Sequence, residues 1–402
     1  MAAVSFPLAS YADQTIARLA VVTGSEALAK LDGTTLLCER AMLGDMTIPG
    51  RVSAGGGCRL FDAVGDTVAL NLARPADREL LPALFETDGL DAQDDDTIAA
   101  LIARSEAAAL VMRGRSMGLA IASEHETAAS PVPVDACTDL VTGPVAATSV
   151  RWRAPRVVDL SALWAGPLAA HLLWLGGADV VKVESRTRPD ALRVGDNRFY
   201  ALLNQGKASV ALDFREANDR QALLSLISES DIVIEAARPR ALAQLGIDAA
   251  QIVRTTPGLV WITITGHGAG GDAANWVGFG DDCGVAGGLS AALRAATGHT
   301  GFVGDAIADP LTGMLAARVA WEAWSSRRGG RFALAMSQVV ARALAAAREQ
   351  DPAALDSSLR AWSAATGKPF PTVNLRSISG LPSFGANTGS YLATIAQCRA
   401  AR

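Results

Sequence analysis

The second half of the chain places its apolar residues in short unbroken runs, each followed by a turn and a stretch of helical period. Arg156-Val-Val-Asp-Leu160 reads as a strand, Ala165-Gly166-Pro167 as a turn, 168–175 as a helix, and Ala178-Asp-Val-Val-Lys-Val-Glu184 as the next strand. Two apolar strands joined by one short helix must pair in parallel, because only a crossover returns the chain in the same direction. The alternation continues through Ser209-Val-Ala-Leu-Asp213, a helix over 219–229, Asp231-Ile-Val-Ile-Glu235, a helix over 240–245, and Leu259-Val-Trp-Ile-Thr-Ile-Thr265. This pattern predicts an α/β fold, an open and mostly parallel sheet with helices on both faces. Ligands of such sheets gather beyond the carboxyl ends of the strands, so residues 165–167, 184–186, 236–239 and 266–271 should share one rim.

The first part of the chain has a different pattern. Arg59-Leu-Phe-Asp-Ala and Thr67-Val-Ala-Leu-Asn-Leu72 read as a strand pair turned by Gly65-Asp66, and 76–85 and 95–107 carry helical spacing, the latter behind the possible capping acids Asp94, Asp95 and Asp96. Between 124 and 150, Pro131, Pro133 and Pro144 lie among small and polar residues with little helical period, as suits a connection. The expected division is a small α+β domain over 1–123, a linker over 124–150, and a large α/β domain over 151–402. A length of 402 residues, half of them apolar, also favours more than one core.

Charge and cysteine content exclude several classes of function. With 36 Lys+Arg against 41 Asp+Glu and no long basic run, a nucleic-acid backbone is not an expected partner. Five cysteines, at positions 38, 58, 137, 283 and 398, form no C-x-x-C pair, so neither a zinc site nor a disulfide framework is expected, and a reducing cytoplasm fits. The opening residues lack the basic region of an export signal. Residues 160–178 contain no Asp, Glu, Lys or Arg and are long enough to span a bilayer. Pro167, the Gly176-Gly177 pair and the strand that follows favour a buried turn and helix instead, so no membrane association is expected.

Candidate chemistry is sparse. Gly266-His-Gly-Ala-Gly-Gly271 follows a strand and can approach a phosphate, but it matches neither a dinucleotide fingerprint nor a P-loop. His125, His171, His267 and His299 show no metal spacing along the chain, and no G-x-S-x-G elbow is present, so no metal is expected. Asp309, in Gly304-Asp-Ala-Ile-Ala-Asp309-Pro-Leu-Thr-Gly313, stands at a turn before an amphipathic segment. Asp followed by Pro fits a helix N-cap, and the same terminus can also orient a nucleophilic carboxylate.

The second part as a whole resembles the class III coenzyme A transferases, a family that includes the alpha-methylacyl-CoA racemases. The resemblance rests on Val157-Val-Asp-Leu-Ser161 with Ala165-Gly-Pro167, Leu175-Gly-Gly-Ala-Asp-Val-Val-Lys-Val-Glu184, Asn204-Gln-Gly-Lys-Ala-Ser-Val-Ala-Leu-Asp213, Ser230-Asp-Ile-Val-Ile-Glu-Ala-Ala-Arg-Pro239, Leu245-Gly-Ile-Asp248, Thr265-Gly-His-Gly268, the Asp309 turn and Arg327-Arg-Gly-Gly-Arg331. It implies a CoA-transferase with Asp309 as catalytic carboxylate, acting through an aspartyl anhydride and an aspartyl-CoA thioester. It also implies acyl-CoA and a carboxylic acid as substrates, no permanently bound cofactor, and an interlocked homodimer.

Ala165, Gly166 and Pro167 are the expected turn at the nucleotide, with Lys182, Arg186 and Lys207 near phosphates. The family's small domain is ordinarily inserted within the large one, so about 150 residues ahead of the opening signature imply a permuted order. Cys58 to Leu72 and Arg113-Gly-Arg-Ser-Met-Gly-Leu-Ala120 are similar to that small domain, Leu381-Pro-Ser-Phe-Gly-Ala-Asn-Thr-Gly-Ser-Tyr-Leu392 is similar to the closing stretch, and 53–57 is the candidate for the active-site glycine loop. Trp164 stands where some relatives carry a polar residue, and Ala236 and Ala237 where Asn-Phe is common; a hydrophobic acyl or acceptor group is therefore expected. Racemases place a histidine in a Gly-His-Asp string where this chain has Gly280-Asp-Asp-Cys283. Racemisation, or CoA binding without turnover, are the alternatives to transfer.

Overall fold

In the computed structural model, residues 6–126, 136–146 and 153–393 are described. A three-stranded antiparallel sheet is formed by β1 (Cys58–Asp62), β2 (Thr67–Asn71) and β3 (Ala120–Ser123), in that spatial order. A second sheet holds β4 (Thr138–Thr142), β5 (Arg156–Asp159), β6 (Asp179–Ser185), β7 (Ala208–Leu212), β8 (Ile232–Glu235), β9 (Val260–Thr265) and β10 (Gly330–Ala335). Its order is β4-β10-β9-β8-β5-β6-β7, all parallel except β4 at the edge. The mostly parallel α/β architecture is the one the alternating pattern predicts.

The strands read as apolar runs because both faces of this sheet are covered. Successive residues point to opposite sides. Val157, Val180, Ile232, Ile234, Ile262 and Leu334 enter one cluster, with the helices Ala165–Leu175 and Ala308–Ser325. Val158, Val181, Val183, Val233 and Trp261 enter the other, with the helices Ala217–Ser228 and Ala249–Thr255. From β5 the chain winds outward to β6 and β7, then returns to place β8 on the opposite side of β5. The crevice beyond β5 and β8 is therefore the switch point at which such sheets bind ligands.

Several elements differ from the sequence reading. Residues 6–123 contribute to two clusters: Phe6, Leu8, Ile16, Leu19, Leu36, Leu37 and Ile48 join the large core, while Phe61, Val68, Leu70, Leu84, Ile98 and Ile121 form a separate one. The helices Ala9–Thr23 and Gly33–Leu43 carry the first group. They cross closely at Gly33, where a Cβ would lie 2.4 Å from that of Ala12.

Within the 124–150 stretch read as a linker, β4 pairs with β10, and Pro131 and Pro133 lie outside the described residues. The predicted helix over 76–85 is two short helices, Pro75–Arg78 and Leu81–Phe85, and 95–107 is the helix Asp95–Ile102, capped by Asp94, with a break before the next helix starts at Ala107. Among the described residues no helix is long and apolar enough to cross a membrane.

Candidate active site

The start of the Ala165–Leu175 helix organises the site. Residues 165–167, read as a turn, are its first three positions. Gly166 allows this approach to β5, because a Cβ there would lie 2.2 Å from Ser161 Cβ. The helix Ala308–Ser325 packs across it at Gly313, where a Cβ would lie 2.7 Å from the Ala165 carbonyl oxygen. One turn earlier, Asp309 thereby reaches its partner: the Ala165 N–H donates to Asp309 Oδ1 at 3.2 Å. Asp309 is not an N-cap. Ile307 holds that position without a side-chain bond, and the Asp309 carboxylate faces the N-terminus of the neighbouring helix, where the free N–H groups and dipole favour negative charge.

Two more acids close on it. Asp281, on the helix Gly280–Ala286, accepts from the Ala306 N–H at 3.0 Å and holds a turn in which Ala306 adopts φ 41°, an uncommon value for a residue with a Cβ. Asp305 is fully buried and accepts two hydrogen bonds from Arg40, Nε at 2.8 Å and Nη2 at 2.7 Å. The Arg40 guanidinium stands 5.0 Å over the Trp164 ring, which itself meets Phe199 edge-on at 4.9 Å. Gly280 packs its backbone directly against Asp309, since a Cβ there would lie 2.3 Å from Oδ2.

These surroundings set the charge. Burial first, then the Asp281 and Asp305 charges, push the Asp309 carboxyl up to about 7 against the opposing Arg40 charge and the Ala165 N–H. Asp281 rises to about 6, mainly through burial and then Asp305. Asp282 rises to about 8, again mainly through burial. Residues 53–57 reach the same place: the Ser53 hydroxyl bonds to Asp281, and a Cβ on Gly55 would lie 2.9 Å from Arg40 Nη2.

Of the residues expected near phosphates, two are corrected. Lys207 is buried with all three donors occupied, by Asp159 Oδ2 at 2.8 Å, the Pro167 carbonyl at 2.8 Å and Asn204 Oδ1 at 3.0 Å. Lys182, equally buried, donates to the Ser161 carbonyl at 2.9 Å and lies 3.4 Å from Asp190 Oδ2. Both support the β5 turn and the helix start from beneath, with their ammonium groups turned to buried protein acceptors. Arg186 is exposed on the rim, with Nε bonded to the Ala211 carbonyl at 3.1 Å.

A different basic group, missed in sequence, stands on the same rim. Arg74, Arg188 and Arg238, from three separate segments, are close enough that burial and then the first two charges lower the basicity of Arg238. Only Arg238 carried a signal, inside the Ser230 to Pro239 string. Trp164, expected as a bulky group at the mouth, is 2% exposed and forms part of the packed wall, its indole N–H buried without an acceptor among the described residues.

Chain spacing also failed to anticipate two mixed clusters, His267 with Asp282 and Cys283, and Asp66 with Glu124 and His125. His267 Nε2 lies 3.8 Å from Asp282 Oδ2, but Arg115 Nη2 stands 3.4 Å from its other nitrogen, a charge that opposes a metal cation there. His171 is a core residue, as its position among leucines predicts.

Comparison with known proteins gives these features a context. Residues 154–357 match CoA-transferase family III. The succinyl-CoA:D-citramalate CoA-transferase of Chloroflexus aurantiacus is 30% identical over 169 residues, 40% of this chain and 42% of that enzyme. The succinate–glutarate CoA-transferase of Agrobacterium fabrum is 30% identical over 172 residues, 40% of this chain and 43% of that enzyme. The chain thus matches less than half the length of either relative. Among solved structures, a CAIB/BAIF family protein from Brucella suis aligns over 54% of this chain and 59% of its own, at 26% identity and a TM-score of 0.44. The match covers the β5 strand, the switch-point crevice and Asp309, and extends over half of the residues. On that extent, the chain belongs to CoA-transferase family III.

Proposed function

We propose that the protein moves coenzyme A from an acyl-CoA thioester to a carboxylic acid, with Asp309 as the covalent carrier. The observation that carries this reading is the Asp309 carboxylate itself, held at a helix N-terminus by the Ala165 N–H and packed against the backbone of Gly280. Ionised, its oxygen attacks the thioester carbon; the C–S bond breaks, leaving an aspartyl–acyl anhydride and CoA thiolate. The thiolate attacks the Asp309 carbonyl carbon and expels the acyl group as its carboxylate, giving an aspartyl-CoA thioester. The acceptor carboxylate repeats the sequence in reverse order: it displaces the thiolate to form a new anhydride, and the thiolate then takes the acceptor's acyl carbon and releases Asp309. Burial keeps water from the anhydride.

Arg74, Arg188 and Arg238 supply a rim of positive charge suited to the phosphates of coenzyme A, with Arg186 beside it. The apolar acyl or acceptor group expected from Trp164 has no support from that residue, which packs against Phe199 in the core. The reading extends to an interlocked homodimer in the cytoplasm, which sedimentation and fractionation test, and to a small domain that contributes residues 53–57 to the site.

Hydroxylamine added to protein and acyl-CoA captures an activated carboxyl as a hydroxamate. Mass spectrometry should find that mark on Asp309, and Asp309→Asn should abolish transfer, a loss of about 10⁴-fold or more. An unmarked Asp309 peptide across a panel of acyl-CoAs overturns the reading.

One observation favours a second reading. Asp281 stands where the racemase string carries its histidine, is buried, and is pushed up to about 6, so it can take or give a proton beside Asp309. Exchange of the acyl α-proton with deuterium in the absence of any acceptor acid would place racemisation first.

A further inference from the structure

We propose that Arg40, on the helix Gly33–Leu43, is the positioning residue that supplies the counter-charge for the reacting carboxylate of Asp309, fixed for that task by Asp305, Trp164 and the 53–57 segment. The inference rests on the reading of Asp309 given above. It assigns a role to a stretch of chain that lies wholly outside the matched region 154–357.

The argument begins with a count of charge. The charged and titratable groups facing Asp309 are Asp281 and Cys283 from the helix Gly280–Ala286, Asp305 from the turn ahead of its own helix, and Arg40. From the helix Ala165–Leu175 it faces only the uncharged N–H of Ala165. Three carboxylates therefore share one guanidinium. Asp196 adds a further negative charge near Asp305, and Arg115 stands on the far side near Asp282 and Cys283.

Geometry then explains why this guanidinium stays in place. Its Nε and Nη2 edge is taken by Asp305, whose side chain is 0% exposed, whereas that of Arg40 is 21% exposed. One face lies on Trp164, the residue just before Ala165, a contact that favours a flat cation over a compact one. Gly55 packs so closely against Nη2 that any side chain there would displace it. Without Arg40, Asp305 would be a buried anion without a partner, and both it and Asp309 would retain their protons to higher pH. A protonated Asp309 cannot attack a thioester, so the residue acts on the reaction through charge while touching no reacting atom.

The test reads the titration of Asp309 directly in the full chain, by carboxyl ¹³C resonances of labelled aspartate, with the Asp309 signal identified by its loss in Asp309→Asn. Arg40→Gln should raise the Asp309 midpoint by about 1 pH unit or more, about a tenfold loss of ionised fraction at a fixed acidic pH. Arg40→Lys should restore most of that shift. Asp305→Asn, which removes a like charge and frees the guanidinium, should lower the midpoint, and the double variant should return near the wild-type value. The acid limb of acyl transfer should move in parallel.

A folded Arg40→Gln protein with an unmoved Asp309 midpoint overturns the proposal. Should that variant not fold, an unmoved midpoint in Asp305→Asn overturns it equally. Because the resonance is measured without substrate, failure of the transferase reading shows as an absent hydroxamate, and failure of this inference as an unshifted titration.

Discussion

Two buried clusters of charge touch the start of the helix Ala165–Leu175, and they differ in balance. Beneath it, Lys207, Lys182 and Arg193 face Asp159, Asp190 and Glu184, three cations against three anions. Burial opposes the ionised form of Asp159, yet Lys207 and Lys182 hold it below the ordinary carboxylate range. At the Asp309 pocket, three anions face one cation, and the carboxyl is pushed up to about 7. Both clusters are enclosed, so burial does not distinguish structure from chemistry; the match of charge does. A matched set fixes every side chain in one arrangement. An unmatched set leaves a proton in play near neutrality, where general acid–base and nucleophilic groups are useful.

The sharpest way to break this contrast is to remove one member from each side. Lys207→Met should leave Asp159 buried without its counter-ion and cost about 3–5 kcal/mol of stability, measured as a fall in the urea midpoint. Asp309→Asn should leave the midpoint unchanged or raised, because the acid it removes is itself poorly accommodated when charged, while transfer is lost. If Lys207→Met proves neutral to folding and instead weakens CoA affinity alone, the assignment of Lys207 to the scaffold is wrong. Next in size is Gly280→Ala. Its Cβ would fall 2.2 Å from the Ala306 carbonyl oxygen and 2.3 Å from Asp309 Oδ2, so both the turn and the carboxylate must move, and turnover should fall by about 10²-fold together with a loss of stability. Unchanged turnover would mean that the placement of the Asp309 carboxylate against Gly280 has no part in attack.

Acidity separates the clusters in sign. Asp281, Asp282 and Asp309 have folded-state values of about 6, 8 and 7 against the ordinary 3.8, so between those limits the native state holds more protons than the unfolded chain. Stability from these groups therefore falls as pH rises from about 4 to about 8. Asp159 behaves oppositely: its value is lowered, so its contribution is present above the ordinary carboxylate range and is lost as pH falls through the native value. Chemical denaturation across that range should show a declining limb that Asp282→Asn flattens, while the loss at acid pH remains. A decline that persists undiminished in Asp282→Asn would place the excess protons elsewhere. Transfer itself should follow the ionised fraction of Asp309 and drop below about pH 7.

How much of this could be read in advance follows from how each feature is encoded. The strands of the large sheet were legible because both faces are buried and the apolar runs are continuous, and Asp309 because its neighbours Pro310 and Gly313 lie within one short string. Gly280 and Asp281 carry no signal along the chain beyond the histidine that their string lacks. Lys182 and Lys207 meet buried acids, which a position in or beside a strand does not reveal. Arg40 could not be found at all: it pairs with an acid 265 residues away, both of them flanked by residues of the large core that the sequence assigns to different domains. Local patterns encode elements; counter-charges across the fold depend on packing.

A third group of charge completes the comparison and carries the smallest expected effect. Arg74, Arg188 and Arg238 are an excess of the opposite sign, and they lie at the rim instead of in the core. Arg74 is tied to Asp77 and to the Gly118 carbonyl at 2.9 Å, which leaves Arg188 and Arg238, both exposed, as the cations that can meet an incoming phosphate, Arg238 being the one close to Gly118. Exposed charge is screened by salt and does little for folding. Arg238→Ala should therefore leave the urea midpoint within error, weaken CoA binding by about tenfold, and reduce the dependence of that binding on ionic strength. Titration calorimetry at two salt concentrations checks all three. Arg186→Ala is the informative companion, since Arg186 lies on the same rim but donates to the Ala211 carbonyl and stands 4.0 Å from Asp219. An equal loss in both variants would indicate a diffuse field, and a loss confined to Arg238 a defined phosphate contact at the switch point.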